Sequence, residues 1–173
     1  MGHFLTASTI YLCLLSYLLA AGCWVTGYRG SGYRSLWTTG CVFLILHAIC
    51  AFHFYLGWSH LAAVNLTAEQ TEEMMGFSFG EGIWFSYLLI AVWVVDVVLL
   101  WRNNGAESRS SWWAWFTFAV HGYAFFILFN GTVVFEQGAV RWGGIVGSIW
   151  LARMAWRYRR QGIFGTSRTE LSG

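Results

Sequence analysis

Long apolar runs broken by short polar stretches dominate this chain. About 20 helical residues are needed to cross the roughly 30 Å of hydrocarbon in a bilayer. Five segments meet or approach that length: 4–27, 36–64, 80–101, 112–135 and 140–157. The stretches between them (YRGSGYRS, NLTAEQTEEMMGFS, RNNGAESRSS and EQGAVR) are too short to form domains. The pattern predicts an all-α, integral membrane helical bundle of about five transmembrane helices, one domain over residues 1–160 with a polar cytoplasmic tail over 161–173. The fifth segment is short and glycine-rich (RWGGIVGSIW) and carries Arg153. Four spans, with that segment tilted or partly interfacial, is the alternative. The first apolar run has no charged region before it and is longer than the core of a signal peptide, so it reads as a retained span.

Composition sharpens this picture. The 173 residues are 57% hydrophobic, 20% aromatic and only 10% charged, with a mean hydropathy of +0.53. Soluble domains carry about a quarter charged residues, and a soluble core cannot absorb so much apolar surface. All ten basic residues are arginine, which excludes chemistry that rests on a lysine Schiff base. A net charge of +2 with no basic stripe gives no footprint for nucleic acid. No catalytic serine motif, phosphate-cradling glycine loop or H-E-x-x-H is present. Cys13, Cys23, Cys41 and Cys50 lie in or beside apolar stretches without a C-x-x-C pair, which suits packing rather than a disulfide framework.

Charge also orients the chain. In a five-span arrangement Arg29, Arg34, Arg102, Arg109, Arg157, Arg159, Arg160 and Arg168 fall on one side, which the positive-inside rule makes cytoplasmic. Glu69, Glu72 and Glu73 fall on the other side with the amino terminus. The expected location is the cytoplasmic membrane, N-terminus outside and C-terminus cytoplasmic. Trp24, Trp37, Trp58, Trp84, Trp101, Trp112 and Trp113 sit near segment ends, where indole rings anchor at the headgroups.

Ionisable residues inside a membrane are costly and are the first place to look for function. The second segment, HAICAFHFYLGWSH, holds His47, His53 and His60, and the fourth holds His121. His47 points about 120° away from His53 on one helix, so any shared site needs a second helix. Counting from the segment ends puts His121 near the level of His47, with His53 a rival. The expectation is that His121 with His47 or His53 ligates haem b for electron transfer, with Phe52, Phe54, Phe125 and Phe126 as an apolar sleeve and a quinone or another membrane subunit as redox partner. The competing reading makes each histidine an interhelical hydrogen bonder in a cofactor-free scaffold subunit. His60 and Glu81, at adjoining segment ends, are candidate ligands of a transition metal. Asp96 in AVWVVDVVLLWR reads either as the acid of a proton-coupled carrier or as a structural ion pair with Arg153 or Arg34.

Overall fold

A computed structural model describes residues 1–102, 111–134 and 139–165. Six helices form along them: α1 (Gly2–Val25), α2 (Ser31–Phe54), α3 (His60–Met75), α4 (Ile83–Arg102), α5 (Ser111–Phe129) and α6 (Ala139–Gly165). A 3₁₀ turn, Gly80–Gly82, leads into α4, and a π turn, Asn130–Val134, ends α5. Four helical segments are long and apolar enough to cross a membrane: Gly2–Val25, Ser31–Phe54, Gly80–Arg102 and Trp112–Val133. The fourth expected span is therefore present, and α6 covers the expected fifth. It is helical, but too polar to join that group of four. The expected third loop (RNNGAESRSS) lies almost wholly outside the described residues, as do the end of the tail and the first half of the fourth loop.

Successive spans run antiparallel, as their side-chain contacts show. Gly2 of α1 lies against Phe54 at the end of α2, while Tyr17 meets Trp37 further along. Phe52 of α2 meets Tyr87 of α4, and the Trp101 indole donates to Thr38. Tyr123 of α5 donates to the Phe85 carbonyl of α4. One end of the bundle thus holds the N-terminus and α3, and the other holds Gly27 and the first turn of α2.

The inward face of each helix follows helical spacing. Cys13, Ser16, Tyr17, Ala20 and Ala21 of α1 are buried with Tyr33, Trp37, Gly40, Cys41 and Leu44 of α2. Leu89, Trp93, Asp96 and Leu100 of α4 complete the centre with Thr117, Val120, His121 and Ala124 of α5. Small residues let these helices approach closely; a Cβ on Gly40 would lie 3.1 Å from the Trp93 ring. The outward face is equally apolar, with Leu12, Leu19, Val42, Leu46, Val95 and Phe118 exposed. Between 17 and 33% of each spanning window is buried, at a mean hydropathy of 1.3 to 2.4. Such helices are apolar all round, and lipid rather than water is the solvent that suits them.

The expected second span divides in two. Helix α2 stops at Phe54, because the chain turns through Gly57 (φ +55°) and Trp58 (φ +60°). Left-handed backbone is costly for a residue with a Cβ; the Trp58 ring lies 6.1 Å from Phe52 and 6.4 Å from His53 at the end of α2. The Ser59 side chain then accepts from the Ala62 amide and starts α3, which ends at Gly76 (φ +77°). Much of the expected loop NLTAEQTEEMM is therefore helix. Its Val64 and Ala68 pack on Gly80, and the Thr71 hydroxyl accepts from the Phe79 amide.

Helix α6 lies along α1 in the same direction, from Gly147 beside Leu18 to Tyr158 beside Gly27. Gly22 makes this possible, since a Cβ there would come within 2.7 Å of the Trp150 ring. Gly22→Val is expected to cost about 1–3 kcal/mol through overpacking and to loosen α6. Limited trypsin digestion should then cleave faster at the exposed Arg153 and Arg157; an unchanged cleavage rate would count against this contact.

Candidate functional site

His121 is buried in the centre of the bundle and both its faces are covered. Its ring stacks on Trp37 at 3.9 Å between centroids and on Trp24 at 4.8 Å. Its Nε2 is 3.0 Å from the Tyr33 hydroxyl, and its carbonyl accepts from the Tyr17 hydroxyl at 3.1 Å. The Arg29 guanidinium extends the stack, 5.0 Å above Trp24 and 5.4 Å above Tyr33. These partners were legible only in outline. Tyr33 and Trp37 sit four residues apart on one helical face, but Trp37 and Trp113, expected at the headgroups, are buried. Trp24, also expected there, is half-buried against His121, and Trp58, Trp84, Trp101 and Trp112 are exposed.

Asp96 belongs to the same cluster. It is wholly buried; the Trp37 indole donates to Oδ2 and the Thr117 hydroxyl to Oδ1, each at 2.9 Å. The ion pair expected with Arg34 or Arg153 is replaced by other placements. Arg34 lies 5.6 Å from the Trp101 ring centre, and Arg153 is exposed on α6. Trp37 is the hinge of the cluster: its ring covers His121 while its nitrogen holds the carboxylate. Three helices, α2, α4 and α5, are tied at this point.

His47 is elsewhere. It follows Trp37 by ten residues on α2, about 15 Å further along the axis, and so does not face His121. Its Nδ1 lies 3.0 Å from the Thr6 carbonyl of α1. A carbonyl oxygen only accepts, so Nδ1 carries the proton and Nε2 of the neutral ring keeps its lone pair. An imidazole held in this way by its far nitrogen is the arrangement that orients histidine ligands in metal and haem proteins.

A cavity of about 660 Å³ opens beside His47 between α1, α2, α4 and α5, with Gln70 of α3 closing one edge. Its size falls within the range of small-molecule sites. Phe52, Tyr55 and Tyr87 give it aromatic walls, and Ser86 and Thr6 give it polar points. His3, which the sequence reading passed over, lines the same cavity. Its signal was its position one turn before Thr6, on the face that meets His47.

The remaining expected site residues lie apart from this cavity or on its edge. His53 is exposed and meets Phe54 edge-on at 4.7 Å. A haem held between His121 and either His47 or His53 does not fit these positions. Phe52 lines the cavity, while Phe54 and Phe126 are exposed. His60 is exposed, with Nδ1 3.1 Å from the hydroxyl of Tyr87, and Glu81 is exposed on the 3₁₀ turn. Among the described residues, no three side chains of histidine, cysteine, aspartate or glutamate come together as a metal site. All four cysteines are free, Cys13 and Cys41 buried among the core residues.

No protein-family model matches the chain, and no curated protein or solved structure is detectably similar to it.

Proposed function

We propose that this chain is a multi-pass membrane protein that binds a membrane-soluble redox cofactor in the cavity headed by His47. The observation that carries the reading is the pairing of an oriented imidazole, its Nδ1 committed to Thr6, with a cavity of about 660 Å³ at its side. The Nε2 lone pair suits two chemistries: it ligates the iron of haem b as a single axial ligand, or it accepts from the ring hydroxyl of a quinol. Either cofactor carries electrons in a membrane, and the aromatic and aliphatic walls suit a flat apolar ring.

Orientation follows from charge. Arg29, Arg34, Arg102 and Arg157 belong to the end of the bundle holding Gly27, and Glu69, Glu72, Glu73 and Glu81 to the opposite end. The positive-inside rule places the first end in the cytoplasm and the N-terminus outside.

The deciding experiment is an optical spectrum of the detergent-purified protein, oxidised and reduced, from cells able to make haem, with solvent extraction of quinones from the same sample. One reducible haem or one extractable quinone per chain is expected. His47→Ala should reduce that occupancy at least tenfold, because the group that recognises the cofactor is gone, and His121→Ala should leave it bound in whatever protein still folds. Protein carrying neither cofactor, and taking up neither when each is supplied, overturns the reading.

A further inference from the structure

A second chamber of about 420 Å³ adjoins the His47 cavity, between α1, α5 and α6. Its walls are apolar: Leu14, Leu15 and Leu18 of α1 face Phe125, Leu128 and Phe129 of α5. Of the four hydroxyl-bearing residues on its wall, Tyr17 is committed to the His121 carbonyl, Tyr11 stands at the border with the His47 cavity, and the other two are turned back into their own helices. Thr132 donates to the Leu128 carbonyl at 2.7 Å and Ser148 to the Gly144 carbonyl at 2.8 Å. Tyr11, Leu14, Leu128 and Thr132 border both chambers, so the two meet along a shared wall. One chamber offers an imidazole acceptor and polar points, and the wall of the other is mostly apolar.

We infer that the cofactor is a tailed quinol, its ring hydroxyl donating to His47 Nε2 and its isoprenoid tail lying in the chamber between α1, α5 and α6. This rests on the cofactor reading above and names its ligand class. A ring with one long apolar tail matches a chamber with polar points bordered by a mostly apolar one, whereas a porphyrin is a single disc with two carboxylates. No arginine lines either chamber among the described residues to meet such carboxylates. The tail gains packing against protein rather than escape from water, since lipid is equally apolar. Position, more than affinity, is therefore what an experiment should read.

Gly143 supplies the means. It lines the tail chamber, and a Cβ there would meet nothing within 4 Å, so a larger side chain enters open space without disturbing the helix. The probe is a benzoquinol with a diazirine at the tip of a decyl tail, added to the full chain in phosphatidylcholine vesicles and photolysed. Labelled positions are then read by mass spectrometry. Labelling is expected on the peptides that hold Leu15, Phe129 and Gly143, and an excess of untagged decyl benzoquinol should compete it away. His47→Ala, Gly143→Leu and, independently, Ser148→Leu should each reduce the competed label several-fold. Label confined to lipid-facing residues such as Val42 and Val95, or label that untagged quinol does not compete, overturns the inference. A His47-dependent haem spectrum with no competed label also overturns it, but leaves the cofactor reading standing. Absence of both overturns the two together.

Discussion

Replacing Trp37 with alanine is expected to destabilise the bundle by about 3–5 kcal/mol, the range for emptying a large buried aromatic site. The indole is 0% exposed and lies 3.9 Å from the His121 ring and 4.5 Å from the Trp93 ring. In lipid the loss is one of dispersion contacts rather than of escape from water, but the cavity left behind carries the cost in either solvent. Its nitrogen also holds Asp96, so the carboxylate loses a donor at the same time. Trp37→Phe keeps an aromatic ring but loses that donor and part of the indole volume, and about 1–3 kcal/mol is expected for it. Thermal unfolding in a fixed detergent, followed by near-ultraviolet circular dichroism, separates the variants. Trp37→Ala melting with the wild type would show that the cluster does not hold the helices together.

Asp96 gives the second large effect, and the choice of substitution decides its size. Alanine leaves the Trp37 indole without an acceptor at a site with no exposed surface, and each stranded buried donor costs about 1–3 kcal/mol. The Thr117 hydroxyl is the milder loss, because a helical threonine can turn back to the carbonyl four residues earlier. Asp96→Ala should therefore cost about 2–4 kcal/mol in all. Asparagine keeps one carbonyl oxygen to accept from Trp37 or Thr117, and about half that loss is expected for it. Combining Asp96→Ala with Trp37→Phe should cost less than the sum of the two, because both remove the same bond. Strict additivity in the melting data would place the two residues in separate networks.

The apolar runs alone determined that this chain is a membrane helical bundle; about five spans were expected from them, and four of the helices that form are long and apolar enough to cross. Backbone groups in hydrocarbon must be satisfied within the segment, and about 20 apolar residues leave a helix as the available solution. Histidine and aspartate stood out in the sequence for the same solvent reason, since polar groups are costly there. Which of them would meet was not legible. A hydropathy plot locates the ends of a span only to within a turn or more, and a shift of that size changes which side chains share a level. Helix α2 starts five residues before the expected boundary, so Tyr33 and Trp37, not His47, reach the depth of His121. Asp96 accepts from an indole and a hydroxyl on neighbouring helices, partners that its sequence neighbourhood did not announce. The turn through Gly57 and Trp58 splits the expected second span, and the α3 that follows it packs Val64 and Ala68 on Gly80, a contact that no local pattern announces. The two chambers at Tyr11 and Leu14 are likewise spaces between helices. A cavity is set by how faces diverge in three dimensions, and the tertiary structure alone decided that His47 would open onto one while His121 would be sealed.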